Sequence, residues 1–383
     1  MYDDLTAARQ ILVDAPAYLL FERLAEHLAA AYGHNDTELF LVDYRIAALI
    51  PLRGGPPQTH PGSALWRSFN HQATVVDADA LVVPVTVRGE RLGVMRLSPP
   101  PRDDATAKTL ADIGTLLAHE LSAAWSKTDR YIAAARVRRL TLAAEMQWEL
   151  LPGRSCVRPA FSLAGQLEPA YAVRGDSFDW ADDANRLWLT VINGMGAEVT
   201  AATLTVLATN ALRNARRAGL ELADQAALAD QALYAHYQGT QHAATLLLEL
   251  DLTTGVVTVI DAGSPRLLLL RDGRMGEQSL DAQFPLGMFE GSIYRPQRFQ
   301  LLTGDRLLVA SDGVYEAGSS PTLYGESALA RSVQRTTALA PLDAVRSVLG
   351  DMRSFVGGDL VDDAVLVCLD WSGLRPSPPD EFS

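Results

Sequence analysis

In the C-terminal half of this 383-residue chain, apolar runs of strand length repeatedly break off at a carboxylate. Arg306-Leu307-Leu308-Val309-Ala310-Ser311 leads into Asp312-Gly313, Gly175-Asp176 follows the run Phe161 to Ala170, and Asp362-Asp363 precedes Ala364 to Leu369. An Asp-Gly pair alone marks only a turn, so Asp312-Gly313 gains weight from the strand before it. Any fold that lays these runs side by side delivers three carboxylates to strand ends, where they can share one edge of a sandwich. Carboxylates brought together repel, and the arrangement is tolerable mainly around a cation.

The elements between the runs fix the fold class. Strand-like stretches at Leu187 to Ile192, Ala244 to Leu252, Val256 to Ala262, Arg266 to Arg271 and Arg298 to Leu301 surround two helical stretches, Gly196 to Gly219 and Leu222 to Tyr237. Two helices between early and late strand groups predict a layered α/β (α+β) sandwich.

Composition bounds the rest. A 48% hydrophobic and 21% charged chain of this length can bury two or three cores and is expected to be soluble and globular. The net charge of -13 disfavours nucleic acid and anionic membrane as partners. Cys156 and Cys368 have no companion Cys or clustered His, which predicts buried, inert thiols rather than a disulfide or zinc site. An acidic start, Met1-Tyr2-Asp3-Asp4, and the absence of any run of roughly 18 apolar residues predict a cytoplasmic protein.

The N-terminal part reads differently. An amphipathic helical region over 5–32 is followed by a strand at Glu38 to Ile50, a hairpin of Leu81 to Val87 and Leu92 to Leu97 around Arg88-Gly89-Glu90-Arg91, and a helix from Asp104 to Trp125. This order resembles a GAF domain over residues 1–125, which implies a small-molecule pocket. His34, His60 and His71 lack ligand spacing. Residues 126–153 form a helical linker, expected as one stiff helix over Lys127 to Leu151 that could relay a signal or dimerise, or simply pack on the next domain. The last ten residues, 374–383, are Pro-rich and acidic and are expected to be a disordered tail.

Four segments carry a more specific resemblance: Arg174-Gly175-Asp176-Ser177-Phe178-Asp179, Val191-Ile192-Asn193-Gly194-Met195-Gly196, Ser311-Asp312-Gly313-Val314 and Asp362-Asp363-Ala364-Val365. In order and spacing they resemble the motifs of the protein phosphatase 2C-like metal-dependent phosphatases (PPM), in the bacterial sporulation-type (SpoIIE-like) branch. The resemblance implies an α-β-β-α sandwich over 154–373, two Mn²⁺ or Mg²⁺ ions, and hydrolysis of phosphoserine or phosphothreonine on a regulatory protein. By position it assigns Asp176, Asp312 and Asp362 as catalytic metal ligands, with the carbonyl of Ile192. Asp179 and Asp363 would be outer hydrogen-bond acceptors or turn residues, and Arg174 either grips phosphate or is solvated.

In that family an Asp three positions before the first Gly of a Gly-x-Gly bridges the two ions. Counted back from Gly194, that position is Val191, whose side chain can offset no charge. Two readings follow: a phosphatase-like signalling protein with weakened activity, or a pseudophosphatase that binds a partner without turnover.

Overall fold

The computed structural model describes residues 2–77, 79–137, 139–169, 174–319, 322–358 and 360–373. The expected tail, 374–383, lies outside them. The chain divides between Arg139 and Leu140 into two compact units.

The first unit contains α1 (Tyr2–Asp14), α2 (Leu20–Tyr32), β1 (Asp36–Val42), β2 (Leu49–Pro51), α3 (Ala64–His71), β3 (Val75–Val76), β4 (Leu81–Val87), β5 (Glu90–Ser98), α4 (Asp104–Ala124) and α5 (Arg130–Ala134). Its strands form one antiparallel sheet in the order β2-β1-β5-β4-β3. The hairpin β4–β5 turns through Arg88 and Gly89, both at positive φ, the backbone that a two-residue turn between right-twisted strands needs. Leu110, Ile113, Leu117 and Leu121 on one stripe of α4 join Phe21, Leu24 and Leu28 of α2 in the core.

The linker is not one helix. α5 belongs to the first unit: Tyr131 is buried in that core and its hydroxyl donates to the Ala17 carbonyl at 3.0 Å, while Arg130 pairs with Glu22. A non-helical stretch follows, and α6 (Leu142–Leu150) starts afresh where the Thr141 hydroxyl accepts from Ala144 N–H. Helix propensity over 127–151 is high, but tertiary contacts and a new N-cap divide it.

In the second unit α6 is followed by β6 (Ser155–Val157), β7 (Phe161–Glu168), β8 (Ser177–Asp182), β9 (Arg186–Gly194), α7 (Glu198–Arg217), α8 (Leu222–Tyr237), β10 (Ala243–Asp251), β11 (Val256–Ala262), β12 (Arg266–Arg271), β13 (Arg274–Glu277), β14 (Gln297–Gln300), β15 (Arg306–Ala310) and the single turn α9 (Asp312–Tyr315). The small hairpin β16 (Gly318–Ser319) and β17 (Thr322–Leu323) precedes α10 (Tyr324–Ser327), α11 (Leu329–Arg335), α12 (Pro341–Val356) and β18 (Ala364–Trp371). One antiparallel sheet has the order β14-β11-β10-β9-β8, the other β13-β12-β15-β18-β7-β6.

Each sheet carries helices on its outer side. Leu204, Ala208 and Leu212 of α7 with Ala226, Ala229 and Leu233 of α8 cover the first, packing on Leu247 and Ile260. Val345, Val348, Leu349 and Met352 of α12 cover the second, packing on Leu308, Leu366 and Cys368. The sheets meet directly: a Cβ on Gly165 of β7 would lie 2.6 Å from the Phe178 ring of β8. The architecture is the α-β-β-α sandwich expected. Both thiols are buried and neither is in a disulfide, and burial pushes the Cys368 thiol up to about 12. No helix among the described residues is long and apolar enough to cross a membrane.

Candidate metal centre

Three segments far apart in sequence are tied together at one end of the sandwich. Ser311 N–H donates to the Val365 carbonyl at 3.0 Å, and Val365 N–H returns a bond to Ser311 Oγ at 2.9 Å, so β15 and β18 arrive in step. A Cβ on Gly313 would sit 1.8 Å from the Asp363 carbonyl oxygen, so only glycine permits this approach. Asp363, fully buried, then reaches the third segment: its Oδ2 accepts from the backbone N–H of Arg174 at 2.7 Å and of Gly175 at 3.1 Å. The same oxygen accepts from Gln147 Nε2 of α6 at 2.9 Å, and Gln147 also donates to the Asp176 carbonyl at 2.9 Å. Asp363 is therefore the clamp that fixes the loop carrying Asp176.

Asp176 is the anomaly this clamp produces. It is fully buried, and among the described residues only the Ser311 hydroxyl is near enough to donate toward its carboxylate. Burial holds its carboxyl well above the usual range, and Asp312, Asp363 and Asp362 push in the same direction; only the Ser311 hydroxyl opposes them. Burial likewise raises Asp362 to about 6, reinforced by Asp312 and relieved in part by the Arg174 guanidinium. Asp312 is raised by burial, against hydrogen bonds from Gly313 N–H, Asn193 and Ser264. A buried carboxylate so sparsely hydrogen-bonded is costly unless something cationic completes it.

The donor chemistry suits a hard divalent ion such as Mn²⁺ or Mg²⁺, which prefers oxygen ligands. Asp176 supplies the sparsely hydrogen-bonded oxygens and Asp362 a half-buried neighbour with which it repels. Among the described residues no three His, Cys, Asp or Glu side chains already stand at mutual ligating distance, so binding would draw these carboxylates closer.

Two expected positions change. Val191 is fully buried within β9, paired in register with Phe178 on β8 and Leu246 on β10, and so lies in the apolar layer between the sheets. Two residues on, about 7 Å farther along the same face, Asn193 donates through Nδ2 to Asp312 Oδ2 and, at 3.0 Å, to Ser264 Oγ. Asn193, not Val191, is the β9 side chain that meets the acidic cluster. Gly194 is the last residue of the strand, whereas Gly196, at φ +117°, makes the turn into α7. Ile192, expected to offer a carbonyl, pairs with Ser177 and Thr245 inside the ladder, one residue short of Asn193.

Asp179 is engaged elsewhere. Its Oδ1 accepts from Arg213 at 2.8 and 3.2 Å and its Oδ2 from Arg216 at 3.1 Å; Arg213 also donates to the Leu150 carbonyl at 2.7 Å. This buried triad ties β8 to α7 and to the end of α6 rather than to the carboxylates. Asp179→Ala strands two arginines and is expected to cost about 3 kcal/mol, lowering the denaturation midpoint while leaving Mn²⁺ affinity by calorimetry unchanged. Arg174 is exposed, with its guanidinium near enough to Asp362 to favour the charged carboxylate.

The comparisons with known proteins bear on this geometry. Residues 183–372 match the family Stage II sporulation protein E (SpoIIE). The C-terminal unit is a SpoIIE-type phosphatase 2C domain. The matched span contains Asn193, Asp312, Asp362 and Asp363 and begins after Asp176. A structure of the RsbU and RsbW domains of Rv1364c from Mycobacterium tuberculosis is 25% identical at a TM-score of 0.52, covering 59% of this chain and 63% of that one. The phosphatase 2C domain with a regulatory fragment of SpoIIE from Bacillus subtilis is 16% identical at 0.49, covering 56% and 65%. This chain thus spans less than two thirds of either structure. No curated protein matches. In the SpoIIE-type domain the carboxylates therefore sit on a phosphatase framework, with an amide at the strand end that faces Asp312.

Proposed function

We propose that the chain is a regulatory, metal-dependent phosphatase-like signalling protein that removes phosphate from phosphoserine or phosphothreonine on a partner protein, at a weakened rate. The observation that carries this reading is Asp176: a fully buried carboxylate with little but the Ser311 hydroxyl to offset it, held by Asp363 and Gln147 against Asp312 and Asp362. A structure sustains such a cost where a cation completes it. When bound through Asp176 and Asp362, with Asp312 alongside, the ion would acidify a water and offset phosphate charge.

The chain's own residues prepare the rest. Asp363 and Gln147 hold the 174–176 loop in place, and Gly313 N–H with Asn193 hold the Asp312 carboxylate. Arg174, exposed near Asp362, would hold a phosphate oxygen, which a guanidinium binds bidentately. The first unit would act as the GAF-like sensor of a small molecule, and the setting would be cytoplasmic.

Asn193 favours a second reading, a pseudophosphatase that binds its partner without turnover. Full-length protein incubated with phosphoserine and phosphothreonine peptides decides between them. The first reading expects phosphate release that requires Mn²⁺ and stops on adding EDTA. No release at saturating Mn²⁺, with the ion shown to bind, would reject it and leave the second.

A further inference from the structure

We propose that this domain holds one divalent cation per chain, at the Asp176–Asp362 end of the cluster, because the Asn193 amide caps Asp312 and leaves no shared carboxylate for a second. The inference rests on reading the cluster as a cation site and goes beyond it in fixing the number of ions and the residue responsible.

The hydrogen bonds divide the cluster into two unlike ends. At one end Asp312 has both oxygens supplied: Oδ1 accepts from Gly313 N–H at 2.8 Å and Oδ2 from Asn193 Nδ2. The Asn193 NH₂ group has two hydrogens, and its second acceptor is Ser264 Oγ at 3.0 Å. The Asp312 contact orients the amide, since an ionised carboxylate only accepts. Turned over, it would press its carbonyl oxygen against the Asp312 carboxylate, acceptor against acceptor. Asn193 thus points hydrogens at the place on Asp312 where an ion would have to bind.

At the other end, among the described residues, Asp176 has only the Ser311 hydroxyl to set against its buried charge, and Asp362 Oδ1 accepts the N–H of Asp363 at 2.9 Å with the exposed Arg174 nearby. The negative charge left without compensation is concentrated there, and one cation offsets it. Two dications a few ångströms apart need an anionic oxygen common to both, since their mutual repulsion is several times that of a pair of unit charges. An amide is neutral and, as placed, offers hydrogen. Asn193→Asp supplies the missing charge with almost no change in volume.

The test counts ions directly. Full-length wild type and Asn193→Asp are titrated with Mn²⁺, with free ion read by electron paramagnetic resonance and heat by calorimetry. The proposal expects one Mn²⁺ per wild-type chain and two in Asn193→Asp. It also expects Asn193→Ala to keep its single Mn²⁺, because the amide is not a ligand; this measurement stands even if the Asp variant fails to fold. Two ions in the wild type, one in a folded Asn193→Asp, or loss of the ion in Asn193→Ala would each overturn the proposal while leaving the phosphatase reading intact. No Mn²⁺ bound by the wild type at millimolar concentration would overturn both.

Discussion

Asp176→Asn is expected to cut Mn²⁺ affinity, and the phosphate release that depends on it, by at least about 100-fold, since even outer partners of metal ligands are worth 10–100-fold. The same change should raise the stability of the metal-free protein at pH 8. The wild-type carboxylate is fully buried with only the Ser311 hydroxyl to offset it and faces three other aspartates, so folding at pH 8 has either to bury that charge or to take up a proton. The amide removes the charge at constant shape and should recover about 1–3 kcal/mol, or several degrees in thermal midpoint. A site residue whose loss of function accompanies a gain in stability is the mark of a carboxylate placed for binding.

The pH dependence follows with a definite sign. Asp176, Asp312 and Asp362 are all raised in the folded state, Asp362 to about 6. For an acid so shifted the folded chain binds more protons than the unfolded one, so its contribution to stability is complete below about pH 4 and is lost as pH rises through the folded value. The metal-free protein should therefore lose thermal midpoint between about pH 4 and 7 through these groups. Saturating Mn²⁺ should reverse that trend, and Asp176→Asn should flatten it. A midpoint that rises through this window in wild type, set against a flat variant, would contradict the arrangement.

Val191→Asp is the second large effect, and it separates the two β9 positions. If Val191 were the vacant ligand position, a carboxylate there would repair the site and raise activity. The structure predicts the reverse. Val191 is fully buried between the sheets, flanked by Phe178 and Leu246 with no polar partner, so an aspartate there is an uncompensated buried charge. The expected cost is about 3–5 kcal/mol, enough to lower the thermal midpoint by roughly 10 °C, with no gain in Mn²⁺-dependent rate. Asn193→Asp, two residues away at the strand end, should instead raise the rate. A folded Val191→Asp with raised activity would reverse the assignment.

Much of this was legible before the structure because it depends on local pattern. The apolar run before Asp312 becomes β15, the stretch Gly196 to Gly219 becomes α7 over Glu198–Arg217, and Asp176, Asp312 and Asp362 come to one end of the sandwich as strand-end placement implies. What failed depends on partners distant in sequence. Nothing near Asp179 announces Arg213 and Arg216, which lie a helix away and claim both its oxygens. The linker looks helical throughout, yet Tyr131 and Arg130 are drawn into the first unit while Thr141 caps a new helix.

Two signals were present but not used. Asn193, beside Gly194 at the end of β9, was a polar residue at a strand end, although only the structure shows its amide donating to Asp312. Leu342, Val345, Val348, Leu349 and Met352 recur at helical spacing and form α12, which the strand-centred reading passed over. The role of Gln147, a polar side chain in an apolar helix, appears only once Asp363 and the Asp176 carbonyl are seen beside it.

The central claim is that carboxylates from two segments far apart in sequence, Asp176 and Asp362, share a cation. Crystals of the full chain soaked in Mn²⁺, with diffraction collected at the manganese absorption edge, test it most directly. The account predicts one anomalous peak in contact with an Asp176 carboxylate oxygen and on the Asp362 side of the cluster. A map with no peak at Asp176, from crystals in which the cluster is open to solvent, would contradict it.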